Sequence, residues 1–271
     1  MSSVVLQNLK RDSDERTITD RQLSVLWILL PLLSLLVVIA SLALALGAVA
    51  SSFSSISSGY SLSNSSSLIS NSSFPAASLG ISTVLLLIPA LLFLYFYYLL
   101  IRRRNLHFQR QQRLMSDLVP AMRLAASKKN TNIDAFVGSI DSTARRAQLE
   151  ETEKSAVVWV VLLIIPLLNI IAGLYILYFL TTDYYKHERM EDNILSDLDR
   201  AFSAMGMQFV YHRTDPIPHR SFVLYLILSI ITLGLFALYW EYCLIKDPNN
   251  HFVNHAMFEP AIIQLLTPVV S

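Results

Sequence analysis

Near the end of this chain His251, His255 and Glu259 stand four residues apart, which puts all three on one face of a helix. Two imidazoles at i and i+4 have the spacing with which a helix offers two ligands to one metal ion. Glu259 cannot converge on the same ion as both, because eight residues of helix rise about 12 Å. A third and a fourth ligand must therefore come from elsewhere, and no Cys or His cluster offers itself. More simply, a juxtamembrane helix would set these imidazoles among lipid headgroups, and no cofactor is expected. If the three residues do act together, they make the candidate site of a membrane enzyme working at the interface.

His107, His187 and His251 recur at equivalent points after three apolar runs. Imidazole titrates near neutrality, so such a set suits pH sensing or contact with lipid phosphate, and inheritance through duplication also accounts for it. Glu241, between Trp240 and Tyr242, is costly in a membrane unless paired, and Lys246, Arg102 and Arg103 are its candidate partners. Asn169, within the third apolar run, suits an interhelical hydrogen bond. Arg102, Arg103 and Arg104 follow the second run directly and read, with His107, as a lipid or topology anchor. The basic stretch lacks the aromatic or Gly-rich company of a nucleic-acid module, so no nucleic acid is expected. P-loop, nucleophile-elbow, His-Glu-x-x-His and dinucleotide signatures are absent, so no catalytic residue is nominated.

The elements that must position these residues are greasy. Between Arg21 and Arg102 the chain has no Asp, Glu, Lys, Arg or His. Two apolar runs there (24–50 and 81–101) flank a Ser-rich segment, and two more occupy 155–182 and 222–245. Each is long enough for a helix to cross about 30 Å of hydrocarbon. Charged residues make up 15% of the chain, against roughly 25% in a soluble one. The first run is too long for a secretory signal core of about 7–15 residues, so it reads as an uncleaved anchor. Lone Cys243 excludes an internal disulfide.

The Ser-rich loop has no Lys or Arg, which places it outside and the Arg-rich segment inside, with both termini cytoplasmic at the plasma membrane. Asn64-Ser65-Ser66 and Asn71-Ser72-Ser73 in that loop are candidate glycosylation sites. Four full spans are expected. Re-entrant hairpins for the last two runs, turning near Gly173 and Gly234, are the alternative, and they would keep every basic residue inside.

The runs repeat. Tyr95-Phe96-x-Tyr98-x-Leu100-Ile101-Arg102-x-x-Asn105-x-His107-Phe108 returns as Tyr239-Trp240-x-Tyr242-x-Leu244-Ile245-Lys246-x-x-Asn249-x-His251-Phe252. This predicts duplication of a two-helix unit. Met190, Ile194, Leu198 and Phe202 form an amphipathic stripe after His187, and Met115, Leu118 and Met122 form another after His107. Thr232-Leu233-Gly234-Leu235-Phe236-Ala237-Leu238-Tyr239-Trp240 resembles the T-x-G-[IL]-[YF]-x-x-Y-W signature of a prokaryotic family of small multi-pass membrane proteins of unknown function. That resemblance implies architecture and origin, and no activity.

The resulting expectation is an all-α integral membrane protein: four transmembrane helices from an internal duplication, with amphipathic surface helices. Its parts are a cytoplasmic tail (1–23), a first hairpin (24–101) with an external loop (51–80), and a basic segment (102–154). A second helical pair (155–245) with an amphipathic connector (183–220) and a C-terminal amphipathic tail (246–271) complete it. A non-catalytic scaffold or accessory subunit is the expected role, docking lipid headgroups, a membrane-protein partner or a second copy. A small oligomeric transporter or channel is the alternative, and an interfacial enzyme using His251, His255 and Glu259 a further one.

Overall fold

The computed structural model describes residues 2–58 and 73–271, so Asn64 and Asn71 lie outside the described residues. Within those residues the regular elements are helices and no strand occurs. They are α1 (Ser2–Asp14), α2 (Arg16–Thr19), α3 (Leu29–Ser58), α4 (Ser73–Lys128), α5 (Asp134–Glu150), α6 (Ala156–Leu162), α7 (Leu168–Ala204), α8 (Phe222–Ile231) and α9 (Leu235–Val270). The chain divides into two compact units, Leu26–Tyr97 and Met1–Val25 with Tyr98–Ser271.

Leu26–Tyr97 holds α3 and the first part of α4. Two helical stretches, Val25–Ser51 and Leu85–Lys128, are long and apolar enough to cross a membrane. Their apolar side chains face outward: Leu36 is 65% exposed and Leu91 63%. Pro31 lies in the first turn of α3, where the missing N–H has no helical partner to lose.

Only two such helices are present among the described residues, where four spans were expected. The third and fourth apolar runs each break into two helices. Ser155 caps α6, its hydroxyl accepting from Val158 N, but α6 ends at Leu162, short of Pro166. Proline disfavours helix in the residue before it, and Leu167 follows at φ 67°. Gly173 is not at this turn; it lies inside α7. In the fourth run Ser221 caps α8, which closes in a Schellman turn: Gly234 N donates to Ser229 O and Leu233 N to Ile230 O. At 1.5 Å per residue α6 and α8 measure about 10 and 15 Å, too short to cross. Leu167 (81% exposed) and Leu233 (95%) stand at the two tips.

The stripes read as surface helices face a shared core instead. Leu9 of α1, Leu118 and Met122 of α4, Ile140 of α5, Leu198 and Phe202 of α7, and Ile262 and Leu266 of α9 form one buried cluster. An amphipathic stripe needs apolar cover, and neighbouring helices supply it as well as lipid does. The N-terminal tail belongs to this bundle too, since α1 packs against α9. Pro248 lies inside α9 and, lacking an N–H, frees the carbonyl of Leu244, to which Arg103 Nη2 donates at 2.7 Å. Arg103 thereby locks α4 to α9.

Candidate metal centre

Helices α4, α7 and α9 each pass from an apolar stretch into the bundle, and polar contacts hold them in register where they do. Trp240 Nε1 donates to Thr181 Oγ1 at 2.8 Å, and Arg104 Nη2 lies 2.6 Å from Asp183 Oδ2. Just beyond this level His107 from α4, His187 from α7, and His251 with His255 from α9 point at one another. His107, His251 and His255 are fully buried and His187 is 5% exposed.

The rings stand nearly edge to face, at 76–90° for most pairs, yet each turns Nε2 toward the common centre. His107 Nε2 lies 3.3 Å from His187 Nε2 and 3.1 Å from His251 Nε2, and His255 Nε2 lies 2.9 Å from His251 Nε2. A tetrahedral zinc ion with Zn–N of 2.0–2.1 Å would hold its nitrogens about 3.3 Å apart. Every Nδ1, in turn, faces its own carboxylate: His107 and Asp20 Oδ1 at 2.9 Å, His187 and Glu151 Oε1 at 2.7 Å, His251 and Glu188 Oε2 at 3.0 Å, His255 and Glu259 Oε1 at 2.8 Å. An N–H on Nδ1 fixes the tautomer and turns the Nε2 lone pair inward, which is how imidazole ligands are oriented in metal sites. Glu191 Oε1, 3.0 Å from His255 Nε2, adds an oxygen to the same centre.

Two guanidiniums hold these carboxylates in turn, Glu151 excepted. Arg110 Nη1 donates to Glu259 Oε1 and Oε2 at 2.8 and 2.9 Å, and its Nη2 to Asp20 Oδ2 at 2.7 Å. Arg213 donates to Glu188 Oε2, Glu191 Oε2 and Asp192 Oδ1 at 3.1, 2.7 and 2.8 Å. Gln111 Nε2 contacts His255 Nδ1 and donates to Glu259 Oε1. Buried Asp20, Glu151, Glu188, Glu191 and Glu259 outnumber Arg110 and Arg213, and still do so by one when the more exposed Arg16 and Arg189, 3.7 Å from Glu259 and 3.5 Å from Glu188, are added. That excess of negative charge suits a dication.

The titration of the rings fits. Burial drives His107 down to about 3 despite Asp20, and holds His251 well below the usual range, so both present neutral lone pairs. At His255 burial opposes charging, but Glu191 and Glu259 together raise it to about 9. Without an ion, a proton on His255 sits between those carboxylates. Metal would displace it.

Of the sequence candidates, His251 and His255 are thus joined by His107 and His187, which were read as headgroup residues. Glu259 stays off the common centre and backs His255. Arg103 and Arg104 are buried in helix-to-helix contacts, while exposed Arg102 lies 5.9 Å from the Tyr98 ring. Asn169 is exposed beside the first hairpin turn and Glu241 is buried on α9. Sequence reasoning missed Asp20, Glu151, Glu188, Glu191, Arg110 and Arg213. The equal placement of three histidines after three apolar runs was the available signal for the ligands. For the carboxylates no comparable pattern exists.

Residues 220–270 match the model of a domain of unknown function, DUF4234. The match covers α8 and α9, with His251 and His255 inside it, and is consistent with the resemblance to a family of unknown function. No curated protein and no solved structure matched this chain.

Proposed function

We propose that this is a membrane-anchored metalloprotein whose cytoplasmic bundle is assembled around one divalent transition-metal ion. Four Nε2 atoms that converge, each backed by a separate carboxylate on Nδ1, carry the reading. All-imidazole ligation favours zinc, copper, nickel or iron over magnesium or calcium. The ion ties three helices and the Asp20 segment together, so occupancy governs whether the bundle is closed. A scaffolding role is compatible with this, but its expected docking stripe of Met190, Ile194 and Leu198 is buried in the core. Glu259 is held by Arg110, which leaves the His251–His255–Glu259 set without a free acid or base.

Two spans and two shallow hairpins anchor the bundle in this proposal, with Leu167 and Leu233 in the acyl layer and every Lys and Arg on the cytoplasmic side. In place of four spans, this leaves no charged segment outside. With Cys243→Ser as background, cysteines at Ser196, Asp215 and Asn250 should all label from the cytoplasmic face. Labelling of Ser196 from outside would restore four spans.

The metal itself is tested by elemental analysis of detergent-purified protein. One ion per chain is expected, falling to under a tenth with His107→Ala plus His251→Ala. A wild-type protein that neither carries nor takes up zinc, copper, nickel, cobalt or iron sinks the proposal.

A further inference from the structure

Beside the histidine centre lies a cavity of about 20 Å³, bounded by α4, α5 and α7. His187, Glu191, Gln111, Gln112 and Glu151 supply its polar wall, the Gln112 amide nitrogen being spent on the Glu151 carbonyl, and Met115 and Ala144 part of its apolar one. The volume is that of about one water, since a site needs roughly 10–15 Å³ to admit one. The polar atoms left over there are acceptors in need of a donor. Gln111 Oε1 and Glu151 Oε2 are buried and accept no hydrogen bond, although Gln111 Nε2 and Glu151 Oε1 are both engaged. Glu191 Oε1 likewise accepts no well-aligned hydrogen bond.

We infer that the ion carries one exchangeable water in this cavity besides its imidazoles. The inference rests on the metal reading above and deepens it: the centre is open by one position instead of closed. A water is the ligand whose chemistry fits. Its lone pair faces the ion and its two O–H groups face Gln111 Oε1 and Glu151 Oε2. Small anions such as azide have no proton for these acceptors and are repelled by the Glu151 and Glu191 carboxylates. Anything larger than a few heavy atoms is excluded by volume. A water-bearing ion with a carboxylate oxygen against it is a Lewis-acid site with a proton acceptor in place, which a closed structural site is not.

Copper(II) serves as probe, loaded into full-length protein in detergent. In ¹⁷O-enriched water, electron paramagnetic resonance should show one coupled oxygen nucleus per ion. Ala144→Leu fills the cavity without touching a ligand, and should still bind one copper per chain while losing that coupling. Azide should leave the wild-type spectrum unchanged. One bound copper with four nitrogens and no coupled oxygen in the wild type overturns the inference while leaving the metal reading intact. No bound copper, nor any other ion, overturns both. Should Ala144→Leu not fold, the wild-type ¹⁷O result alone decides.

Discussion

The two ends of helices α7 and α9 are built on opposite plans. Toward their N-termini the exposed side chains are apolar: Leu167, Ile170 and Ile171 on one hairpin, Ile231, Leu233 and Leu235 on the other. Some twenty residues on, the buried side chains include the charged ones: Glu188, Glu191 and Glu259, with Arg110 from α4. One end presents an apolar surface, whose exposure would cost nothing in hydrocarbon. The other withdraws ionic groups from water, which is tolerable only when every charge finds a partner. Burial alone therefore misidentifies the protein's centre. The greasy residues are outside, and the chemistry is inside.

If the charged end holds the proposed ion, removing that ion breaks the comparison most severely. Free metal at a thousand times its dissociation constant stabilises by about 4 kcal/mol, so chelation should lower the midpoint of thermal unfolding by many degrees, read by circular dichroism in detergent. Chelated protein should also acquire a pH profile. His255, raised to about 9, gives stability that is complete below its unfolded value near 6.5 and is lost as pH climbs through 9. His107, lowered to about 3, acts in the other direction, costing stability as pH falls from 6.5 toward 3. The metal-free bundle should thus be most stable near pH 6.5 and weaken on either side, toward 9 and toward 3, measured as denaturant midpoint against pH.

Arg110→Met strands Asp20 and Glu259 without their guanidinium. About 3–5 kcal/mol should be lost, since unpairing a buried charge is worth that much. A loss below 1 kcal/mol, in a urea titration, would mean that water reaches the site. At the apolar end Leu233→Asp should cost up to about 3 kcal/mol in nanodiscs, the penalty of a carboxylate in hydrocarbon. A neutral result would put the tip in water.

A smaller effect sharpens the point through its sign. Leu233 occupies a left-handed position at φ 52°, a strain of about 1 kcal/mol that glycine relieves. Asn130 and Gly206, residues that tolerate this conformation, hold left-handed positions just past α4 and α7. In water Leu233→Gly would therefore stabilise. In lipid the side chain's transfer, about 1.5–3 kcal/mol, outweighs the strain, so the substitution should destabilise by about 1 kcal/mol. Unfolding in nanodiscs reads the sign.

What could be taken from the residues in order was what is local. Apolar length gave the two long helices α3 and α4, the i, i+4 rule paired His251 with His255, and the repeated placement of His107, His187 and His251 hinted at common ground. Tertiary structure decided the rest. Pro166 and the Leu233-Gly234 turn fold two apolar runs back on themselves, whereas Pro31 lies in the first turn of α3 and leaves that helix intact. Whether a proline breaks a helix depends on its position in the turn and on the neighbours that satisfy the freed carbonyl, as Arg103 does for Leu244. The four imidazoles meet because three helices pack in register across 80 and 144 residues of chain. Periodicity reports the face a residue occupies along its own helix and is silent about which other helix that face will meet.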